Sequence, residues 1–263
     1  MAERTEYADG EPCWADVTTP DLDAATRFYG ALLGWTFHNT GPDFGNYTMA
    51  LKDGKPVAGL TPPQPGGGGP PAWSLYLASS DVAATAGRAE RGGAKILVGP
   101  MEVPGSGHML FGFDPTGAAF GVWQPGQHKG SAFWAEPGAL TWTELNTRDP
   151  GAADAFSRGL FGYEQEQVGD GTNIDYTVWK IDGRPACGRM KMTDEWAEIP
   201  PHWMVYFGVD DTDAAAQRIT DAGGEVRNGP FDSPFGRIVV FTDPFGATAS
   251  LIDESRRVGE QPA

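Results

Sequence analysis

Cysteine is almost absent from this chain of 263 residues, which contains only Cys13 and Cys187. Neither thiol belongs to a CxxC pair, so the sequence indicates neither a disulfide framework nor a zinc site of that kind. Free cysteine is usually a packing residue, and both side chains are therefore predicted to be small buried hydrophobes.

Basic residues are also scarce, because 19 Lys and Arg stand against 35 Asp and Glu and give a formal net charge of −16. Such a field repels phosphate backbones and anionic lipid headgroups, so nucleic acid is not an expected partner. Net charge of this kind indicates solubility rather than a particular site.

Long apolar segments are missing as well. No apolar run approaches the ~18 residues of a membrane span, and the opening MAERTEYADGEP lacks the regions of a secretory signal. A cytoplasmic protein with no membrane partner is therefore expected. The chain also lacks a GxSxG elbow, an HExxH motif and a dinucleotide fingerprint, so hydrolase, zinc protease and nicotinamide chemistry have no support.

What the chain does contain is a duplication. Residues 14–35 read WADVTTPDLDAATRFYGALLGW and residues 142–163 read WTELNTRDPGAADAFSRGLFGY, an offset of 128. The offset stays between 128 and 131 to the end of the chain, which predicts two domains at 8–126 and 136–255, each with enough apolar residues for a core. Gly66–Gly69 lie in a Pro/Gly connector at 61–72 that lacks a phosphate-loop ending, and a linker is predicted there.

Each copy divides again into two modules with one plan. An alternating strand is followed by a capping aspartate, an amphipathic helix, and hairpins around Asp-Gly or Asp-Pro turns. The capping positions are Asp21, Asp81, Asp149 and Asp211. The sequence therefore predicts an α+β fold of four βαβββ modules.

Two sequence motifs resemble those of a known family. PCW.D…PD…A..FY..L.GW at Pro12–Trp35 and EPGAL.W.EL.TRDP at Glu136–Pro150 resemble the vicinal oxygen chelate superfamily of glyoxalases, extradiol dioxygenases and bleomycin-resistance proteins. The likeness covers nearly the whole chain and is closest to tandem two-domain glyoxalase-like proteins of actinobacteria. It implies two domains with cupped mixed sheets covered by helices, and in catalytic members a divalent metal on the concave face. Which modules pair to form a cup stays open.

The resemblance also implies where metal ligands would stand. In catalytic members of the superfamily the ligands stand seven residues before each capping aspartate and seven residues after the Asp of each Asp-Pro turn. In this chain those positions are Trp14, Ser74, Trp142, Met204, Gly121 and Ser250. None is His, Glu, Asp or Gln, and indole, thioether and glycine do not supply the donors that a divalent ion requires. No metal and no other cofactor is therefore expected.

Strand alternation predicts which side chains share the concave face, because residues two apart point the same way. The predicted ligand-binding set is Trp14, Asp16, Ser74, Tyr76, Trp142, Glu144, Met204 and Tyr206. This mixture of apolar wall and sparse polar anchors suits a flat aromatic ligand, although the two indoles could equally fill a core. Trp73 and Trp203 are predicted to face the helices.

Three side chains are candidate catalytic groups. Asp16 and Glu144 are carboxylates in the predicted cups, and His108 lies in a loop expected to enter a strand near one of them. A surface position for His108 remains the competing interpretation, since a lone histidine has no ligand partners at metal spacing.

The sequence therefore predicts a metal-free protein that binds an aromatic or hydrophobic natural product, or a resistance-type protein of the bleomycin-resistance kind. The alternatives are an enzyme of the same superfamily, either a glyoxalase-like lyase or a dioxygenase or hydroxylase, and a metal-free general-base catalyst acting on a polyketide-like substrate. The chain is expected to act as a monomer or homodimer, and binding and catalysis are not separated by these patterns.

Overall fold

A computed structural model of the protein describes residues 3–63, 69–169, 171–172, 174–196 and 199–258. It contains four successive strand–helix–three-strand modules, as predicted. The first domain comprises β1 Pro12–Thr18, α1 Leu22–Leu33, β2 Thr36–Asn39, β3 Thr48–Lys52, β4 Lys55–Thr61, β5 Trp73–Ala78, α2 Val82–Arg91, β6 Lys95–Val103, β7 Gly107–Phe113 and β8 Ala119–Pro125. The second comprises β9 Leu140–Thr147, α3 Pro150–Phe161, β10 Glu164–Val168, β11 Tyr176–Ile181, β12 Arg184–Lys191, β13 His202–Gly208, α4 Thr212–Asp221, β14 Glu225–Ser233, β15 Gly236–Thr242 and β16 Thr248–Asp253.

The helices begin where the capping aspartates predict. In each case an aspartate Oδ1 accepts a hydrogen bond of 2.9 to 3.0 Å from the backbone N–H three residues later, which satisfies one of the free donors of the first turn. The aspartates are Asp21, Asp81, Asp149 and Asp211.

Two hairpins turn at the Asp-Gly pairs. Asp53 has φ 50° and Gly54 φ 74°, and Asp182 has φ 49° and Gly183 φ 73°. Positive φ at both central residues is the requirement of a type I′ turn, so this prediction is confirmed.

Each domain forms one mixed sheet of eight strands. The order is β2-β3-β4-β1-β5-β8-β7-β6 in the first and β10-β11-β12-β9-β13-β16-β15-β14 in the second. The first strands of the two modules, β1 and β5 or β9 and β13, run antiparallel at the centre. The two modules of one domain therefore pair with each other, which resolves the question that the sequence left open.

The two halves share one core. A single cluster of buried residues contains side chains of both domains, including Trp73 and Trp203 as predicted. Phe207 of the second domain packs against Trp35 and Trp73 of the first, at ring-centroid distances of 5.3 and 5.0 Å. The two domains therefore bury many of their apolar side chains together, because the helix-bearing faces of the two sheets pack against each other.

Two segments connect the elements of the sheets, one between the first two modules and one between the domains. The connector predicted at 61–72, with Gly66–Gly69, lies partly outside the described residues, at 64–68. The segment between the domains crosses one end of the first sheet, where Ser131 N–H donates to Cys13 O and Ala132 N–H to Pro56 O, both at 2.7 Å. Of the helices that the structure describes, none has the length and apolar character needed to cross a membrane.

Candidate ligand-binding cups

The face of each sheet turned away from the shared core, which we call the first cup and the second cup, carries the predicted site residues. In the first domain Trp14 is paired with Tyr76 and Asp16 with Ser74 across the two central strands. In the second domain the matching pairs are Trp142 with Tyr206 and Glu144 with Met204. The intervening residues, such as Ala15 and Val17 on β1, are buried in the core, as strand alternation requires.

A buried carboxylate occupies the first cup. Asp16 is only 6 % exposed, and its Oδ2 accepts a hydrogen bond of 3.1 Å from the hydroxyl of Tyr47. The same hydroxyl accepts a hydrogen bond of 2.8 Å from Nε1 of Trp14. Burial raises the pKa of Asp16 to about 7, although hydrogen bonds from Tyr47 and Tyr76 partly oppose the rise.

The second cup repeats this arrangement with a glutamate. Glu144 is 8 % exposed, and its Oε1 accepts a hydrogen bond of 2.9 Å from the Tyr206 hydroxyl. Trp142 Nε1 donates to the Tyr176 hydroxyl at 2.7 Å. Burial raises the pKa of Glu144 above its ordinary value, and hydrogen bonds from Tyr206, Tyr176 and Asn146 act in the opposite direction.

Tyr47 and Tyr176 are site residues that the sequence analysis missed. Both hydroxyls lie over a glycine of the neighbouring strand, so a Cβ added at Gly59 would collide with Tyr47 and one at Gly188 with Tyr176. Glycine is required here because the ring approaches the backbone too closely for any side chain. The signal in the sequence was the Tyr-Thr pair, which recurs at 47–48 and 176–177.

His202 is a further cup residue that the sequence analysis did not select. It stands two residues before Met204 on β13, and its Nδ1 lies 2.8 Å from the carbonyl oxygen of Pro200. A carbonyl only accepts, so Nδ1 carries the proton and Nε2 accepts from Asn146 Nδ2 at 3.3 Å. Burial lowers the pKa of His202.

His108 is not brought to either cup. It is exposed on β7, between Gly107 and Met109. Met109 packs against the small cluster that contains the cup residue Trp14, and the ring of Phe111 lies 6.2 Å from the ring of Tyr76, whereas His108 shares the face of the core residue Leu110. Strand alternation therefore turns its side chain away from the first cup.

The donor set of the cups does not fit the divalent metal that the family resemblance implies. Each central constellation offers one carboxylate, together with tyrosine hydroxyls and an indole N–H. Divalent ions in such sites need several converging imidazole, carboxylate or thiolate donors. Across the described part of the chain, no group of three or more His, Cys, Asp or Glu side chains is placed to hold a metal ion.

Sequence comparison identifies relatives over almost the full chain. The family model "Glyoxalase/Bleomycin resistance protein/Dioxygenase superfamily" matches residues 13–122 and 139–251. The chain is 38 % identical over 257 residues to "Putative glyoxylase CFP32" of Mycobacterium tuberculosis (strain CDC 1551 / Oshkosh), covering 96 % of this chain and 98 % of that protein. It is 37 % identical over 263 residues to "Anthracycline biosynthesis protein DauV" of Streptomyces sp. (strain C5), covering 95 % of both.

Solved structures of low sequence identity share the fold. The Mn(II)-bound glyoxalase from Novosphingobium aromaticivorans superposes with a TM-score of 0.66 at 19 % identity, covering 95 % of this chain and 84 % of that one. The catechol dioxygenase BphC gives a TM-score of 0.65 at 13 % identity, covering 97 % and 88 %. At these identities the likeness concerns the fold and not the chemistry.

Proposed function

This chain belongs to the glyoxalase/bleomycin resistance protein/dioxygenase superfamily, and from that premise we propose that it is a metal-independent binding protein for a flat, hydroxylated aromatic small molecule. The observation that carries the proposal is the constellation repeated in both cups. In each, one buried carboxylate is hydrogen-bonded to a tyrosine hydroxyl beside an indole.

This constellation has the chemistry of a site for an aromatic alcohol. Indole and tyrosine rings offer flat apolar area, and the single carboxylate offers a strong hydrogen-bond acceptor to a phenolic hydroxyl. Small-molecule sites generally combine an apolar wall with a few fixed polar groups in this way. The predicted ligand-binding residues of the two cups therefore become the proposed binding residues, with Tyr47 and Tyr176 added.

The relatives support an aromatic ligand class. Two of them are named as anthracycline biosynthesis proteins, and anthracyclines are multi-ring aromatic polyketides. Binding such a compound in the cytoplasm would sequester it, as in resistance proteins of the bleomycin type.

The experiment that tests binding is a titration of tryptophan fluorescence, because Trp14 and Trp142 lie in the cups. We expect 2,6-dihydroxyanthraquinone to quench the emission saturably after correction for its own absorption. Loss of part of the quenching in Trp142→Phe and Trp14→Phe would assign the response to the cups. No saturable response to any hydroxylated three-ring or four-ring aromatic would contradict the proposal.

General-base catalysis is the second candidate, and the raised pKa of Asp16 favours it. A carboxyl with a pKa of about 7 is partly ionised at neutral pH and accepts protons more readily than an ordinary aspartate. If the bound aromatic is turned over, Asp16→Asn and Glu144→Gln should abolish product formation while leaving measurable affinity. Mass spectrometry of the ligand after incubation separates this outcome from simple binding.

A further inference from the structure

The two cups are not equivalent. They differ first at the end of the first cup that holds the indole of Trp14, which we call its indole end. His128, from the segment after β8, meets Trp14 edge to face at a centroid distance of 4.3 Å and lies 5.5 Å from Trp123. Trp123 Nε1 donates to His128 O at 3.0 Å, and the Tyr7 hydroxyl donates to Ser131 O at 2.5 Å. Trp14 is left only 4 % exposed. Side chains of the chain itself therefore fill this end of the first cup.

The second cup has no such filling at the matching positions that the structure describes. Ile252 takes the place of Trp123 in the strand register, and Ala135 takes the place of Tyr7 in the segment before the first strand. After β16 the chain turns back to the edge of the sheet, where Val258 N–H donates to Ser233 O at 3.2 Å. Trp142 consequently remains partly exposed.

The second cup also contains unsatisfied polar atoms. Asn146 is fully buried, and its Oδ1 has no hydrogen-bond partner among the described residues. The orientation of this amide follows from its neighbour, because His202 Nε2 is an acceptor and must face the amide nitrogen. Within the same described part of the chain, Ser250 Oγ is also buried and makes no hydrogen bond of regular geometry, although it lies close enough to Tyr206 to oppose the rise that burial causes in the pKa of that tyrosine. Leaving such atoms unpaired is costly, which points to a ligand that pairs with them.

The first cup also contains one buried polar atom, His128 Nε2, that has no hydrogen-bond partner among the described residues. It differs from the Asn146 oxygen because its ring already packs edge to face on Trp14. A T-shaped contact between two aromatic rings is favourable. The atom therefore belongs to the filling of the first cup.

The spacing of the polar groups in the second cup defines the shape of its ligand. Asn146 stands beside His202 and Ser250 beside Tyr206, so the two rows lie four residues apart along β13. Four residues span about 13 Å along a strand and two strand spacings about 10 Å across the sheet. A ligand that meets both rows is elongated, with several fused rings and polar groups at both ends.

We propose that the second cup is the principal ligand site and that it takes an elongated, multi-ring aromatic whose hydroxyl groups donate to Glu144 and to Asn146 Oδ1. The first cup is closed at its indole end by the His128 segment. This inference rests on the proposed function and assigns it to one of the two cups.

The first test is stoichiometry with matched ligands, measured by calorimetric titration of the full chain. We expect one equivalent of 2,6-dihydroxyanthraquinone to bind per chain, at least about 5-fold more tightly than 2-hydroxyanthraquinone, because the second hydroxyl adds a hydrogen bond. Two equivalent sites per chain would overturn the inference but leave the proposed function intact. Absence of binding would overturn both.

The second test exchanges residues between the repeats. Asn146→Thr, His202→Ala and Ser250→Gly each introduce the residue that stands at the matching place in the first cup, namely Thr18, Ala72 and Gly121. These residues already occupy the matching places in the other half of the chain, where Thr18 N–H donates to Ala72 O, so folding should survive, and thermal melting verifies it. We expect at least 10-fold weaker binding for Asn146→Thr alone and a larger loss for the triple variant.

A paired substitution then compares the two carboxylates. Glu144→Gln should weaken binding at least 10-fold more than Asp16→Asn does. Equal losses, or a larger loss in Asp16→Asn, would place the ligand in the first cup and overturn the inference. If Glu144→Gln does not fold, the Asn146→Thr result decides, since unchanged affinity there contradicts the inference equally.

Discussion

The Tyr47 hydroxyl donates a 3.1 Å hydrogen bond to Asp16 Oδ2, and this contact, even together with the hydrogen bond from Tyr76, does not offset the burial of the carboxylate. Asp16 therefore favours its protonated form far more in the folded chain than in the unfolded one. The consequence is a dependence of stability on pH in an accessible range.

Stability should fall as pH rises through neutrality. The pKa of Asp16 is about 7 in the folded state against 3.8 ordinarily, so its contribution is complete below pH 3.8 and is lost as pH rises through about 7. The loss from this group is up to about 4 kcal/mol in the free energy of unfolding. Urea denaturation between pH 5 and pH 8 captures about 3 kcal/mol of this loss, because each pH unit below the folded pKa corresponds to about 1.4 kcal/mol, and Asp16→Asn should show a flatter profile. Identical profiles for variant and wild type would contradict the assigned burial.

Gly188→Ala should displace Tyr176 from the second cup, because the added methyl group collides with the tyrosine hydroxyl. We expect a loss of about 1–3 kcal/mol in stability and a red shift of tryptophan emission as Trp142 loses its hydroxyl partner. Gly87→Ala is the matched control, since Gly87 lies in α2 and its added Cβ would meet only the flexible end of Arg91 at 3.4 Å. Unchanged emission in Gly188→Ala would argue against the close approach.

Phe207→Ala should destabilise both domains together. Phe207 is fully buried and packs on Trp35 and Trp73 of the other domain, so its truncation costs about 3–5 kcal/mol. We expect circular dichroism and fluorescence to report one coincident transition at lower urea. Phe231→Ala, at a position 37 % exposed, should shift the midpoint far less. Two separate transitions would show that the two domains unfold independently, which would contradict a core that stabilises both.

Tyr29→Phe removes a second link between the domains. The Tyr29 hydroxyl donates to Asp243 Oδ2 at 3.0 Å, and its loss should cost about 1–3 kcal/mol because the buried carboxylate loses a donor. Ser157 is the repeat equivalent and lines a cavity of about 20 Å³ beside Asp114. Ser157→Ala should cost less, since the Ser157 hydroxyl donates to Asp154 O of its own helix and accepts a long hydrogen bond of 3.4 Å from Gln165 Nε2. Equal costs would contradict this difference between the halves.

The fold was predictable because its signals are local. The capping aspartates, the Asp-Gly turns and the period-two alternation each act over a few residues, and each led to the observed element. Alternation also predicted that Asp16 and Glu144 share a face with the indoles. The burial of Cys13 and Cys187 followed from residue type alone.

The features that the sequence did not reveal depend on contacts between distant segments. Tyr47 reaches Asp16 from outside any strand, and His128 reaches Trp14 from the segment between the domains. Alternation from Met204 places His202 on the face of the second cup, but its contact with Asn146 depends on the pairing of β13 with β9 and on a loop carbonyl that orients its ring. The shared core depends on how two sheets dock, for which no short pattern exists.

The most direct test of metal-independent binding is calorimetric titration with 2,6-dihydroxyanthraquinone in buffer containing EDTA, compared with the same titration after adding Mn²⁺. The account predicts saturable binding of equal affinity in both, with the affinity lowered by Glu144→Gln. Binding that disappears in EDTA and returns with Mn²⁺ would contradict it.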